Sequence, residues 1–196
     1  MTSVKYEEKK SCIISNGMDL MWDLGYNGTS VNDIVKAANV PKGSFYFYFK
    51  SKEDFAIQAL REYFKESYGE MSKYLFKSKG SPLERIKQFY NARIDILSQQ
   101  MDDNRGCFAC NLSSEVAEHI SGIQAEVARI HTLVLGDIVS VAREAQELGE
   151  MDKNIDVEKM FAFIEDAGKG VMVSMKALGD HSPIKNYKYM LDRMLQ

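Results

Sequence analysis

Residues 29–53 read TSVNDIVKAANVPKGSFYFYFKSKE, and this stretch decides the fold. In its first half, apolar residues recur at positions i, i+3, i+4 and i+7, the spacing of one helix face: Val31, Ile34, Val35 and Ala38. Just before them, Thr29 or Ser30 offers a hydroxyl group as an N-cap. The pattern therefore predicts a short helix of about two turns.

In the second half of the stretch, a tight turn leads into another helix. Asn39 tolerates left-handed backbone better than most residues, and Pro41 fixes the backbone for the first turn of a helix that runs to about Phe47. Two short helices joined by a tight turn form a helix-turn-helix motif. Ser51, three residues before Asp54, then predicts the N-cap of a longer helix.

Outside this motif the hydrophobic periodicity is helical, and no strand pattern or internal repeat is present. We predict further helices at about residues 4–24, 51–74, 82–101, 107–119, 121–148, 156–178 and 183–195. Together with the two helices of the motif, these make about nine helices. We therefore expect an all-α fold.

Composition excludes several classes of protein. The 196-residue chain is 45% hydrophobic, enough to bury a core, and no apolar run approaches the length of a membrane span. No apolar leader follows the charged residues near the start. We expect a soluble, cytoplasmic protein with no membrane partner. Its three cysteines are an odd number, which favours reduced thiols over a disulfide framework.

The formal net charge of −3 averages two unlike regions. Residues 28–52 hold four lysines and one aspartate, whereas acidic residues outnumber basic ones in residues 56–196. A small basic region beside an acidic body is typical of a head that contacts phosphate groups.

The opening stretch resembles the signature of the TetR family of regulators, in which a threonine is followed by A-G-V-S-K-G-T-L-Y-Y-H-F and then by S-K-E. The chain keeps the family's residue at nine of these positions: Ala38, Val40, Lys42, Gly43, Tyr46, Phe49, Ser51, Lys52 and Glu53. Its departures from the pattern include Asn39, Pro41, Ser44 and Tyr48. These departures are chemically mild, so they affect the preferred DNA sequence rather than the fold.

The resemblance implies a helix-turn-helix DNA-binding domain in residues 1–50 and a helical effector-binding and dimerisation domain in residues 51–196. It also implies a ligand-responsive repressor that binds palindromic double-stranded operator DNA as a homodimer and is released by a small-molecule effector, without a cofactor. The last two helices carry wide apolar stripes, so dimerisation is assigned to residues 156–196.

The third helix begins with a lysine, a glycine and a hydroxyl residue, at the end that enters the major groove in this motif. We predict that Lys42 and Ser44 reach base edges, while Gly43 allows close approach of the backbone. The remaining predicted DNA contacts are Thr29, Ser30, Tyr46, Tyr48 and Lys52. The alternative is that the aromatic run is simply a small core, which we expect for Phe45 and Phe49.

By the same resemblance, the middle helices are expected to enclose an apolar effector chamber. The predicted lining residues are Phe64, Tyr68, Phe89, Tyr90, Cys107, Phe108, Leu112, His131 and Phe161. The alternative is that each of these side chains belongs to the core and contacts no ligand.

Cys107 and Cys110 allow a second mode of sensing. Cys107 falls at a predicted helix start beside Arg105, where a thiolate is favoured, and the Gly106–Cys107 step resembles a TetR subfamily in which a cysteine senses electrophiles or oxidants. A thiol-based repressor acting through Cys107 is therefore one alternative, and a packed pair of cysteines is the other.

Other functional classes find less support in the sequence. A metal site is not expected, because His119 and His131 lie too far apart to form the second ligand pair that Cys107 and Cys110 would need. A helical enzyme is the non-regulator alternative, but no Glu-x-x-His pair is present and we predict no catalytic residues. A protein-interaction module is the third choice.

Overall fold

The computed structural model describes residues 3–102 and 105–196, and within these ranges it contains nine α-helices and no strand. The helices are α1 (Ser3–Gly28), α2 (Val31–Ala37), α3 (Lys42–Tyr48), α4 (Lys52–Phe76), α5 (Pro82–Asp102), α6 (Phe108–Val116), α7 (Ser121–Glu147), α8 (Val157–Leu178) and α9 (Ser182–Met194). The prediction of an all-α fold with about nine helices is confirmed. In the part of the chain described, no helix is both long enough and apolar enough to cross a membrane.

Packing divides the chain into two compact units. The first runs to Lys65 and includes Phe108–Ala128, and the second consists of Glu66–Cys107 and Arg129–Gln196. The first half of α4 and the whole of α6 thus pack with the N-terminal helices. The predicted boundary after residue 50 separates a DNA-binding function from an effector-binding function rather than two packing units, and it stays a prediction.

In the first unit, α1 ends in a kink that distant residues hold in place. Gly25 has a φ of 78°, a conformation that favours glycine, and it lies beside the carboxylate of Glu115 in α6. Glu115 accepts hydrogen bonds from the backbone N–H groups of Tyr26 and Asn27 at 2.8 and 2.7 Å. A charged acceptor therefore satisfies two backbone donors at the turn between α1 and α2.

The helix-turn-helix follows the geometry expected from its sequence. Ser30 is the N-cap of α2, and a capping box joins it to Asp33: each side chain accepts a hydrogen bond from the other residue's backbone N–H. Asn39 has a φ of 52°, as expected for the turn, and Pro41 is the N-cap of α3. The motif is thus capped and turned by local residues.

An aromatic core holds the short helices against α1 and α4. Phe45, Phe49 and Phe55 are buried and in mutual ring contact, which confirms the expectation for Phe45 and Phe49. At Gly17 of α1, a Cβ would lie 2.5 Å from the Phe55 ring and 2.7 Å from Ile34. The close approach of these side chains to α1 therefore requires glycine at this position.

In the second unit, α8 lies with one face in the core. Asp156 caps its first turn by accepting a hydrogen bond from the backbone N–H of Lys159 at 3.1 Å, and Gly179 ends it in the left-handed conformation. Five apolar residues of α8 are buried: Val157, Phe161, Ile164, Met172 and Met175.

Candidate functional site

The short helix α3 has one exposed face and one buried face. Its exposed residues are Lys42, Gly43, Tyr46 and Phe47, and its C-terminal end is followed by exposed Lys50. The opposite face is formed by Phe45 and Tyr48, which are buried. The core therefore anchors α3 from one side only. The other side exposes lysines, aromatic rings and the backbone of Gly43 to solvent.

The lysines around this face differ in how the protein uses them. Lys36, Lys42 and Lys50 are exposed, and within the described residues none of the three forms a salt bridge. Lys52, in contrast, is half-buried, with its ammonium group 4.1 Å from the centre of the Tyr26 ring. Burial lowers the pKa of Lys52, and Glu115 opposes that shift. Three of the four lysine charges are thus available to an external anion.

Two of the predicted DNA contacts need correction because their side chains are buried. Thr29 is 0% exposed, and its hydroxyl donates to the Gly25 carbonyl oxygen at 2.7 Å. Tyr48 is also buried, with its ring 4.8 Å from that of Tyr6 in α1. Thr29 stabilises the turn after α1 and Tyr48 packs in the aromatic cluster, so neither side chain faces solvent.

The other predicted contacts lie at or near the exposed face. Ser30 is exposed, but its hydroxyl donates to Asp33 at 2.5 Å and so serves the capping box. Ser44 is half-buried, and Tyr46 is 58% exposed. At Gly43, a Cβ would meet no atom within 4 Å, so the protein itself does not require glycine there. Glycine at position 43 is therefore consistent with a binding partner that approaches the backbone of α3 closely.

The second unit contains an ion pair between half-buried Arg93 and buried Glu165, which the sequence patterns did not predict. Arg93 donates from Nη1 to both carboxylate oxygens of Glu165, at 2.6 and 2.7 Å, and the Tyr90 hydroxyl donates to the same carboxylate at 3.0 Å. Glu165 is only 3% exposed. Burial raises the pKa of Tyr90 well above its usual value, and the charge of Glu165 raises it further.

The sequence does mark each of the two charged residues as unusual, although it does not show that they pair. Glu165 lies four residues after Phe161, and Arg93 lies three residues after Tyr90, so each charge falls on an apolar helix face. An ionic residue in such a position is either paired inside the protein or part of a site.

Four predicted effector contacts form a chain of rings within the second unit. Phe89 contacts both Tyr68 and Tyr90, and Tyr90 stacks on Phe161 with ring centres 6.2 Å apart. The Tyr68 hydroxyl donates to Asp137 at 2.6 Å, and burial raises the pKa of Tyr68. These side chains therefore combine apolar rings with polar groups that are already hydrogen-bonded.

The other predicted effector contacts are divided between the units. His131 and Cys107 are half-buried in the second unit, where the His131 Nδ1 lies 3.2 Å from the Lys169 ammonium. Phe64, Phe108 and Leu112 belong to the first unit, in which Phe108 packs against Trp22 and Tyr63. The prediction that all nine line one chamber stays a prediction.

An open cleft lies between α4 and α5 of the second unit, with a volume of about 420 Å³. Its lining residues are Glu70, Met71, Lys73, Tyr74, Lys77, Ser78, Ala92, Asp95 and Ile96. None of the predicted effector contacts is among them.

Comparison with known proteins identifies the family. Residues 13–59 match the family model of bacterial regulatory proteins of the TetR family, and residues 82–190 match the Tetracyclin repressor-like C-terminal domain. The second match alone covers more than half of the chain. The chain belongs to the TetR family.

Individual relatives agree with this assignment. The chain is 29% identical over 175 residues to the HTH-type transcriptional repressor DhaR of Mycobacterium sp. (strain GP1), covering 89% of this chain and 86% of DhaR. It is 30% identical over 106 residues to the HTH-type transcriptional repressor NemR of Escherichia coli (strain K12), covering 54% of this chain and 53% of NemR. The crystal structure of reduced E. coli NemR shares the fold, with a TM-score of 0.81 at 19% identity over 95% of this chain and 96% of that one.

These findings confirm the prediction of a ligand-responsive transcriptional regulator of this family. The two relatives are named as repressors rather than as enzymes. For this TetR-family chain, α2 and α3 are accordingly the two helices of its helix-turn-helix.

The structure corrects which face of α8 is available for dimerisation. Dimerisation was assigned to the wide apolar stripes of residues 156–196, but the stripe on α8 contains Val157, Phe161, Ile164 and Met175, which are buried within the subunit. A different face of α8 is exposed, and its positions repeat at intervals of three and four residues: Phe163, Asp166, Gly170, Val173 and Ala177. On α9, Tyr189 and Met190 are exposed.

Proposed function

We propose that this TetR-family chain is a homodimeric repressor that binds palindromic operator DNA through α3 and leaves it when a small-molecule effector binds. The observation that carries the proposal is the exposed face of α3, which presents unpaired lysine charges beside Gly43 from a helix anchored by the aromatic core. Lys42 begins this helix and Lys50 follows its C-cap, so an exposed cation near each end of α3 can attract an anionic backbone.

Individual contacts follow from exposure and chemistry. Lys42 at the start of α3 reaches a base edge or a phosphate, and Ser44 adds a hydroxyl group beside it. Tyr46 is exposed and contacts phosphate through its hydroxyl, while Gly43 lets the backbone approach the duplex. Ser30 and Lys52 support the surface through the capping box and the Tyr26 ring.

Dimerisation is proposed through the exposed faces of α8 and α9. Phe163 and Val173 supply apolar area on α8, and Gly170 has open space where a second helix can approach closely. Two such helices related by a twofold axis present the same face to each other, as a homodimer requires. The dimer then presents two copies of α3 to the two halves of a palindrome.

The effector is proposed to bind inside the second unit, at the ring chain of Tyr68, Phe89, Tyr90 and Phe161. Aromatic walls with a few fixed polar groups are typical of small-molecule sites. The Tyr90 hydroxyl donates to the Glu165 carboxylate, which is paired with Arg93. A ligand that contacts the Tyr90 ring is therefore close to two charged groups.

A thiol-dependent form of this mechanism is the second candidate. Cys107 is half-buried directly before α6, and the chain shares its fold with a NemR structure that is specified as the reduced form. If Cys107→Ser leaves the release of DNA by quinones or aldehydes unchanged, this candidate is excluded.

The proposal is tested by fluorescence anisotropy with a duplex taken from DNA upstream of the gene that encodes the chain. We expect binding at least about a thousandfold tighter than to a scrambled duplex of the same composition, with an affinity that falls as salt rises. Absence of binding at low salt contradicts the proposal.

A further inference from the structure

Phe47 is an apolar side chain on the exposed face of α3. It is 63% exposed and shares the outer side of α3 with Gly43 and Tyr46, four and one residues earlier. The core below α3 is already filled by Phe45 and Phe49. The exposed part of this large apolar ring gains no stabilisation from burial, so packing within the chain accounts for only part of its surface.

The Phe47 ring is held in one orientation by two neighbours. It lies 5.6 Å from the Tyr6 ring of α1 and 5.0 Å from the Tyr48 ring, both in edge-to-face geometry. Tyr6 and Tyr48 also contact each other at 4.8 Å. The three rings form one cluster, and its contacts restrict the Phe47 ring before any partner binds, which reduces the entropy lost on binding.

The surroundings of Phe47 indicate what partner it meets. Lys42 and Lys50, at the two ends of α3, are exposed and form no salt bridge within the described residues. A surface that combines unpaired cations with one fixed apolar ring matches a polyanion with an apolar feature. In the major groove of DNA, only thymine presents such a feature on its base edge, the 5-methyl group.

We propose that Phe47, positioned by Tyr6 and Tyr48, reads a thymine in each operator half-site through its 5-methyl group. The proposal rests on operator binding by α3 as described above. The family stretch quoted above has tyrosine at this place, so this chain presents a ring without the hydroxyl group. Phe47 is thus a specificity-determining residue that distinguishes this chain's operator from that of a regulator with tyrosine there.

The test replaces individual thymines of the bound duplex with deoxyuridine, which removes the methyl group and leaves every hydrogen bond and charge in place. With the wild-type chain, we expect one position per half-site at which the change weakens binding about fourfold, the ratio that corresponds to one buried methyl group. With Phe47→Ala, both duplexes are bound more weakly and the ratio between them falls to about one.

Two further variants keep the test decisive. Phe47→Gln retains a long, helix-compatible side chain without an apolar face, and we expect it to lose the thymine preference even if Phe47→Ala folds poorly. Leu148→Ala, at a position that is 64% exposed in the second unit, is the matched control and keeps the fourfold ratio.

The outcomes separate this proposal from the proposed function. If the wild-type chain fails to bind its upstream DNA, the proposed function fails and this inference fails with it. If it binds the operator but tolerates deoxyuridine at every position, or if either Phe47 variant keeps the thymine preference, only the role of Phe47 is overturned.

Discussion

Phe47 on α3 and Phe163 on α8 are equally exposed, at 63% each, yet their surroundings differ. Phe47 stands between exposed lysines, on a seven-residue helix anchored by aromatic rings. Phe163 shares its face with Gly170, Val173 and Ala177, which are small or apolar, and with Asp166, whose carboxylate is paired with Lys169 at 2.9 Å. Exposure alone therefore does not identify the partner of an apolar ring. The neighbours do: cations indicate a polyanion, and small apolar residues indicate another helix.

The largest effect is expected when a charge is placed on the α8 face. Val173→Glu puts a carboxylate in the centre of the proposed dimer contact, where desolvation without a partner costs about 3 kcal/mol or more, over a hundredfold in the dimer dissociation constant. Sedimentation equilibrium measures this change. Leu148→Glu, at a similarly exposed apolar position, is the control and leaves the dimer intact. A Val173→Glu chain that remains a tight dimer would contradict the proposed dimer contact on α8.

Removal of a cation from the α3 face is expected to have the next largest effect. Lys42→Ala loses a DNA contact worth about 1–3 kcal/mol, roughly a five- to 150-fold weaker operator affinity, and lowers the salt dependence by about one charge. Lys153→Ala removes the same charge from an exposed position in the second unit and is expected to change neither quantity. Anisotropy titrations over a range of salt concentrations measure both. Equal effects of the two variants would exclude α3 as the contact surface.

Two glycines with open space at the Cβ position, Gly43 on α3 and Gly170 on α8, allow the two surfaces to be tested in the same way. Gly43 and Gly170 both have space for a Cβ within the subunit, so alanine at either place is expected to raise helix stability by up to about 1 kcal/mol. Gly43→Ala is nevertheless expected to weaken operator binding about tenfold, and Gly170→Ala to weaken the dimer by a similar factor, because the added methyl group occupies the partner's space.

A matched control for these variants is Gly69→Ala on α4, where the Cβ also meets no atom. We expect a small gain in melting temperature and no change in DNA binding or dimerisation. If Gly43→Ala behaves in the same way as Gly69→Ala, close approach of DNA at Gly43 is refuted.

The smallest effect is expected in the pH dependence of stability that comes from the Ser30–Asp33 capping box at the start of α2. Hydrogen bonds from Ser30 lower the pKa of Asp33, so the folded chain holds the carboxylate in its charged form more strongly than the unfolded chain does. The stabilisation is present above the ordinary aspartate pKa of about 4 and is lost as the pH falls through the lowered value. Asp33→Asn is therefore expected to lower the melting temperature at pH 7 and to have a diminishing effect toward pH 2. A pH-independent difference would contradict the assignment.

The helices and the α3 surface could be predicted from sequence because their signals are local. The i, i+4 spacing of Phe45 and Phe49 predicted the core, and Asn39 and Pro41 predicted the turn. Thr29 was predicted to contact DNA, and its burial could not be foreseen from neighbouring residues. The burial depends on the kink at Gly25, which Glu115 stabilises from a position almost ninety residues away. Local patterns carry no information about such a contact.

Long-range pairing also explains what was missed in the second unit. Arg93 and Glu165 are 72 residues apart, so neither position alone predicts the ion pair. On α8, the strong apolar stripe was assigned to dimerisation, although a helix that packs in the core needs such a stripe for its own subunit. The exposed face contains Gly170 and Ala177, whose small side chains give a weak hydropathic signal.

The central claim is that the exposed face of α3 binds DNA while the face of α8 does not. Amide hydrogen exchange of the full chain, with and without its upstream duplex, tests this most directly. We predict that DNA slows exchange in peptides covering residues 42–50 and leaves peptides covering residues 163–177 unchanged. Unchanged exchange at residues 42–50 in a chain saturated with DNA would contradict the account.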